Sequence, residues 1–480
     1  MTWPIAILLA AWSVLPLPRQ DLPDTKPISS AALLRHVAFL ADDDLAGRGI
    51  CTPGLDTAAA YIADAFRSAG LEPAGSSGSY FHSFEATVGV TLTGENHLIV
   101  KRGGETLPLE LDEDFIPFGF SESGAFHDIE VVFAGYGITD PEQGYDDYAG
   151  LDVTGKAVLV LRHEPPRGKD AGWSHHALFR TKAQNARAHG AAAILIVNDP
   201  RSHPEGEEED ELVALRQGGR IGITALHLRE RAGAHLLGDL DLAALQKEID
   251  ETRKPASRPL PDLRIDLAVS LERRKCMTKN VVGLLPGNSD EYVVIGAHYD
   301  HLGMGGTSSL ATDEKPAIHN GADDNASGVA GMLELARVFA AEGTPPQKNL
   351  LFIAFTGEES GLLGSAAFVR ETKIPLDRIT AMINLDMIGR MRDNRLTIFG
   401  VETATAFREI VERTTPGLTV TTHGDGYGPS DQTSFYVKKI PVLFYFTGAH
   451  RDYHKPSDDV EKINVAGMAR VTHAVYLAVR

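Results

Sequence analysis

Several short stretches of this chain place carboxylate and imidazole side chains at the ends of apolar runs, where together they could hold metal ions. His298 and Asp300 follow YVVIGA, Glu358 and Glu359 follow LLFIAF, Asp386 follows AMINL, and His454 follows PVLFYF through a short loop. Asp323 and Asp324 stand in IHNGADDNASG, where a loop gives way to a helix, with Ser327 placed to help finish its cap. Singly, each has a plain structural explanation: an acid at a helix start caps it, and a polar residue after a strand is commonly a solvated loop residue. Chance loops do not put such residues after successive buried strands that are themselves free of charge.

Oxygen and imidazole donors without thiolate suit zinc, cobalt or manganese. A single catalytic zinc uses three protein ligands and keeps an open position. Two histidines with several carboxylates exceed that number. Two ions account for the surplus, with one carboxylate bridging them and each ion keeping a histidine and one further carboxylate.

The elements that must position these residues can be read from periodicity. From Lys279, apolar strands (NVVGLL, YVVIGA, LLFIAF, AMINL, LTIFG, PVLFYF) alternate with helical segments over 326–341, 362–370, 404–413 and from Val465. Strands apolar on both faces and separated by helical crossovers predict an α/β fold, a mostly parallel mixed central sheet with helices on both faces. In such sheets ligands bind beyond the carboxyl ends of the strands, where the candidate residues stand. Two earlier helices are expected over 31–41 and 55–69, from Leu33, Leu34, Val37 and Leu40 at helical spacing and a stop at Gly70.

Between them the register changes. Residues 87–266 mix short β-rich runs (EVVFAGYGI, KAVLVL, AAAILIV) with loops and read as a separate, inserted domain, leaving the main domain in two pieces, 28–86 and 267–480. Within the insert, the acidic run Gly206 to Glu211 reads as a solvated loop, and His175 and His176 as surface loop residues.

Composition excludes some partners. A net charge of -19 over 480 residues argues against a nucleic-acid or anionic-membrane surface, and a peptide or small molecule fits better. The opening MTWPIAILLAAWSVLPLP is too short and too proline-broken for a stable membrane span. It reads as a signal peptide over 1–20, although its start lacks Lys and Arg, and so the expected location is secreted or periplasmic. Cys51 and Cys276 fit either one disulfide in an oxidising compartment or two separate thiols. No G-x-S-x-G elbow is present, which counts against a serine hydrolase, and GMGG at 303–306 lacks the Lys of a phosphate-binding loop.

GAHYDH, GADDNASG, GEESGLLGS, NLDMIG and DYHKPSDD, in this order, resemble the secreted two-zinc aminopeptidases, a metallopeptidase family related to glutamate carboxypeptidase and the transferrin receptor. FLADDDLAGRGICTPGLDTAAAYIA resembles the family's N-terminal part, and FAGYGI with AAAILIVND an inserted, β-rich α/β protease-associated domain. The resemblance implies a zinc-exopeptidase fold and two Zn2+ per chain, with Co2+ or Mn2+ as alternatives. His298 and Asp386 are then expected on one ion, Glu359 and His454 on the other, and Asp324 between them, followed by a cis peptide bond to Asn325. It implies Glu358 as general acid/base, Asp300 as an acceptor fixing the His298 ring, and, more weakly, Tyr427 steadying the oxyanion. Gln432 stands where many relatives have His. No role is assigned to Asp323, and His301 and His319 are expected to line the pocket or support the ligands. The implied substrate is a peptide with a free N-terminus. A carboxypeptidase of the glutamate carboxypeptidase type shares this site, a glutaminyl cyclase lacks the insert, and a receptor-like binding protein would have lost ligands that are all present here.

Overall fold

The computed structural model describes residues 28–141, 143–166, 174–200, 209, 211–213, 220–306, 308–311 and 315–480. The expected signal peptide, most of the acidic run 206–211 and the His175 side chain lie outside the described residues.

The main domain is built on a mixed sheet with strand order Glu72–Pro73, Leu271–Leu285, Asn349–Phe355, Tyr292–His298, Ile379–Leu385, Val442–Phe446, Arg395–Phe399 and Thr419–His423. The four strands Asn349–Phe355, Tyr292–His298, Ile379–Leu385 and Val442–Phe446 run parallel to one another. All seven residues of Asn349–Phe355 are buried, and alternate side chains face opposite ways. Leu350, Phe352 and Ala354 join the core under the helices Pro53–Ala69, Gly328–Ala341 and Val465–Val479, whereas Leu351, Ile353 and Phe355 pack with Phe368 and Phe435 on the other face. Helices thus cover both faces, as the continuous apolar runs require.

The two N-terminal helices form at Ser30–Leu40 and Pro53–Ala69. Ser29 Oγ accepts the Ala32 N–H at 3.2 Å to cap the first, and the second starts on Thr52 and Pro53 and ends on Gly70 at φ 86°, an arrangement glycine tolerates without a side-chain clash.

A second sheet orders Glu105–Leu109, His97–Arg102, Arg258–Val269, Gly124–Phe133, Ala157–Leu161, Ala193–Val197, Thr224–Leu228 and Phe115–Pro117, and carries its own apolar core. Chain entry and exit are paired: Phe81–Leu92 runs antiparallel to Leu271–Leu285, from Phe81 opposite Val281 to Leu92 opposite Leu271. Cys51 and Cys276 form a disulfide that joins the N-terminal segment to this ribbon.

Candidate metal centre

Because the four central strands are parallel, their carboxyl ends share one edge, and the candidate donors gather there. His298 ends its strand and Asp386 directly follows Leu385. Asp324 lies in one wide turn, Ala322–Ser327, before the helix Gly328–Ala341, closed by the Ala326 N–H on the Gly321 carbonyl at 3.1 Å. The expected helix start at 326 is therefore displaced, because Asp324 (φ -103°, ψ 93°) and Asn325 (φ -132°, ψ 44°) are not helical. The peptide bond between them is cis. Ser327 does not cap the helix; its Oγ turns back to the Asp323 carbonyl at 2.8 Å and to Asp323 Oδ1 at 3.0 Å.

The Asp324 carboxylate is divided between two donor sets. Its Oδ1 lies 3.3 Å from His298 Nε2, which is itself 3.4 Å from Asp386 Oδ1. Its Oδ2 lies 3.3 Å from His454 Nε2, which is 3.1 Å from Glu359 Oε2. Glu358 Oε2 stands 3.9 Å from His298 Nε2, beside the first set. His301 is drawn into the second set as well, with Nδ1 2.7 Å from Glu359 Oε1 and 3.9 Å from Asp324 Oδ2. The second set thus contains two imidazoles, one more than the motifs assign. His319 is not part of either set: its ring nitrogens bond to Ser309 Oγ at 2.8 Å and the Ala317 carbonyl at 2.9 Å.

This donor chemistry fits a divalent cation. Each ligand-candidate histidine directs Nδ1 at a carbonyl oxygen, His298 at Asp300 (3.1 Å) and His454 at Ser308 (3.0 Å). Donation from Nδ1 fixes the neutral tautomer so that the Nε2 lone pair faces carboxylate oxygens, a repulsive arrangement unless a proton or a metal ion lies between. Two ligands of one tetrahedral zinc, each about 2.1 Å from the ion, sit about 3.4 Å apart, which matches the spacings within the first set. Asp386 Oδ1 is buried and makes no hydrogen bond among the described residues, while Ser430 Oγ occupies Oδ2 at 2.7 Å.

The charges are unevenly tuned. Burial alone would raise the Asp324 carboxyl, but hydrogen bonds from His298 and His454 hold it well below the usual carboxylate range. Glu358 moves the other way: burial, reinforced by the charges of Glu359, Asp386 and Asp431, lifts it well above that range despite His298. Adjacent glutamates are thereby separated into one that binds protons readily and one that does not, since His301 and His454 outweigh burial at Glu359 and lower it.

The Asp300 carboxylate does not fix the His298 ring. Its Oδ1 is 3.8 Å from His298 Nδ1, beyond hydrogen-bond reach, and instead accepts the Glu358 N–H at 3.2 Å. The Asp300 carbonyl holds the ring. Tyr427 is 46% exposed with its ring edge-on to Tyr436. Gln432 is buried, and its Oε1 accepts from Asn384 Nδ2 (3.0 Å), which also donates to Ser430 (2.8 Å), the residue bonded to Asp386.

Two supports were not evident from the chain. Asp323 is fully buried and ties its own turn to two distant segments: Oδ1 accepts the Gly389 N–H (2.7 Å) and the Ser327 hydroxyl, and Oδ2 faces His450 Nε2 (3.1 Å). Asp458 Oδ2 accepts the N–H groups of Asp323 (2.9 Å) and Asp324 (3.1 Å), while Arg390 spans Asp458 Oδ1 (3.4 Å) and Asp452 Oδ2 (2.7 Å). The segment carrying His454 is in this way zipped to the turn carrying Asp324. Asp458 lies inside the DYHKPSDD motif and His450 two residues before it, which is the signal that could have pointed to them.

Residues 280–479 match the model described as Peptidase family M28, and residues 128–236 match the PA domain model. The region that carries the donor sets thus matches an M28 peptidase domain. The PA match falls on the second sheet, which is thus a PA domain inserted in the peptidase fold. Aminopeptidase YwaD of Bacillus subtilis (strain 168) is 26% identical over 362 residues, 70% of this chain and 65% of that protein. A probable leucine aminopeptidase of Arthroderma otae is 28% identical over 198 residues, 39% of this chain and 53% of that protein. The match thus spans less than two thirds of either relative. The solved aminopeptidase from Aneurinibacillus sp. strain AM-1 shares the fold of this chain, with a TM-score of 0.54 at 23% identity over 94% of this chain and 93% of the other.

Proposed function

We propose that this chain is an exported metallopeptidase that holds two zinc ions and removes residues from the free N-terminus of peptides. One observation carries the reading: the two oxygens of Asp324 face separate histidine and carboxylate sets, as a carboxylate shared by two ions must. His298 and Asp386 would hold one ion, His454 and Glu359 the other. When bound, the metal pair acidifies a water molecule and polarises the scissile carbonyl.

The chain's own residues supply the rest. Glu358, standing beside the first donor set, accepts the water's proton at its carboxylate and passes it to the leaving amine. Its N–H bond to Asp300 keeps the backbone at that point in place. Tyr427, from the loop before Gln432–Tyr436, is the proposed donor to the oxyanion. An amine is favoured over a carboxylate as the recognised end because the cluster is rich in acids. The nearby guanidinium groups are already engaged, Arg390 with Asp452 and Asp458 and Arg48 with backbone carbonyls. Similarity to proteins named aminopeptidase supports the same choice. For export, the support is the apolar leader and the Cys51–Cys276 disulfide, a bond that persists in oxidising compartments.

The decisive experiment compares aminoacyl anilides bearing a free amine with N-blocked peptides bearing a free carboxyl end, before and after chelation and zinc restoration. Zinc-dependent cleavage of the first group alone is expected. Cleavage of the second group would favour a carboxypeptidase, and absence of bound metal in purified protein would favour a binding protein. Mature protein from the native host that still begins at Met1 would exclude export by the leader.

A further inference from the structure

Arg48 lies in the LAGR stretch of the N-terminal segment, far in sequence from every candidate ligand, yet its side chain is enclosed among the ligand-bearing loops and 1% exposed. Among the described residues its guanidinium touches no carboxylate. Nε donates to the Tyr299 carbonyl at 2.8 Å, Nη1 to Asn320 at 2.6 Å and also to Leu40, and Nη2 to Gly321 at 3.0 Å. Tyr299 sits between His298 and Asp300, and Gly321 opens the turn that carries Asp324. The backbone of Arg48 joins in: its carbonyl accepts the His301 N–H at 3.2 Å, and that of Gly47 accepts the Gly303 N–H at 3.0 Å.

The contact depends on close backbone approach. A Cβ on Gly47 would come 2.5 Å from the carbonyl oxygens of Gly303 and His319, and one on Gly321 2.0 Å from the Asp324 carbonyl and 2.5 Å from the His301 ring. Burying a guanidinium is costly when no acid pairs with it, and burial lowers the Arg48 pKa to about 10, with Asp300, Asp324, Asp458 and Glu359 pulling it back up. It therefore stays a cation at neutral pH. Its planar fork offers five N–H donors in fixed directions, and no other side chain could satisfy carbonyls from three segments at once.

We propose that Arg48 is a positioning residue of the metal centre, one guanidinium that fixes the spacing between the strand end bearing His298 and the turn bearing Asp324. This rests on the metallopeptidase reading. It assigns to the segment before the insert a part in holding metal, in addition to packing against the sheet.

The test measures zinc affinity by competition with a chelating indicator in the full-length wild type, Arg48→Gln and Arg48→Lys. Loss of a supporting residue around metal ligands weakens binding by about 10- to 100-fold, and that loss is expected in both variants, because Lys keeps the charge but not the fork. Wild-type affinity in Arg48→Lys would overturn the proposal in favour of charge alone. Wild-type affinity in both, with only a lowered melting temperature, would reduce Arg48 to a packing role. Should the variants fail to fold, hydrogen exchange of the wild type decides. The His301 and Gly303 amides are expected to be protected before zinc is added, and protection that appears only on zinc loading would overturn the proposal. A wild type that binds no zinc at all sinks the metal-centre reading itself, whereas zinc bound equally by wild type and variants sinks only the assignment of Arg48.

Discussion

Asp323 accepts the ring N–H of His450 across 3.1 Å, with both side chains wholly withdrawn from solvent. The direction of the bond follows from the other ring nitrogen, since His450 Nδ1 accepts the Asp452 N–H at 3.3 Å, which leaves Nε2 to carry the hydrogen. Asp323→Asn turns an amide donor toward that N–H or toward the Gly389 N–H. Leaving a buried donor unsatisfied costs about 1–3 kcal/mol, and equilibrium urea unfolding of the metal-free protein should show a loss of that size. An unchanged midpoint would show that the bond is dispensable.

Glu358→Gln removes the proton acceptor without touching either donor set. Zinc content should match the wild type while turnover drops by roughly 100-fold or more, the scale of general acid/base catalysis. Metal analysis alongside steady-state kinetics separates the two effects. Near-normal turnover would move the base elsewhere.

Proton release should accompany metal binding. Burial lowers the His454 pKa, but hydrogen bonds to Asp324 and Glu359 push it up to about 10, so in the metal-free protein this ring is charged at neutral pH. Zinc needs the lone pair, and its affinity must therefore rise with pH. A folded-state value above the unfolded 6.5 also stabilises the metal-free protein fully below pH 6.5, and this contribution is lost as pH climbs through about 10. Calorimetry in buffers of different ionisation enthalpy should detect released protons. Melting temperatures should fall between pH 6.5 and 10 for the metal-free form and much less for the zinc-loaded form, and parallel curves would contradict this.

The inserted domain carries an opposite dependence. His227 is buried, with Nδ1 accepting the Val213 N–H at 3.0 Å and Nε2 facing Asn198 Oδ1 at 2.8 Å, so only the neutral ring satisfies both. Burial, helped by the charges of Arg162 and Arg229, lowers its pKa to about 3. With the folded value depressed below 6.5, the stabilisation is complete above pH 6.5 and is lost as pH falls toward 3. One such group contributes a slope of at most about 1.4 kcal/mol per pH unit. In His227→Gln the acid sensitivity of the domain should shrink by that amount, read as the difference between the two denaturation profiles, and an unchanged slope would locate the sensitivity elsewhere.

The positions of His298, Asp386, Glu358 and Glu359 could be read from the chain because each stands next to an apolar run, and the parallel arrangement of those runs brings their ends together. Asp323 and Arg48 could not. The partner of Asp323 lies 127 residues away, and Arg48 binds backbone carbonyls, which leave no mark on residue type. Asp300 shows a related limit: a motif says that a group near His298 holds the ring, but not that the carbonyl rather than the carboxylate does so. The helix start at Gly328 in place of Ala326 has the same origin, since the turn before it is shaped by distant partners at Asp458 and Gly389.

The entry and exit strands of the insert do more than connect it. Phe81–Leu92 and Leu271–Leu285 are bonded along their length, and the latter continues as the neighbour of Asn349–Phe355, with Val281 opposite Ala354 and Leu285 opposite Leu350. The insert is therefore mounted on a plank rather than on two strings. The far end of that ribbon borders the strand leading to Glu358, so the insert and the proposed base are joined by one unbroken run of paired backbone.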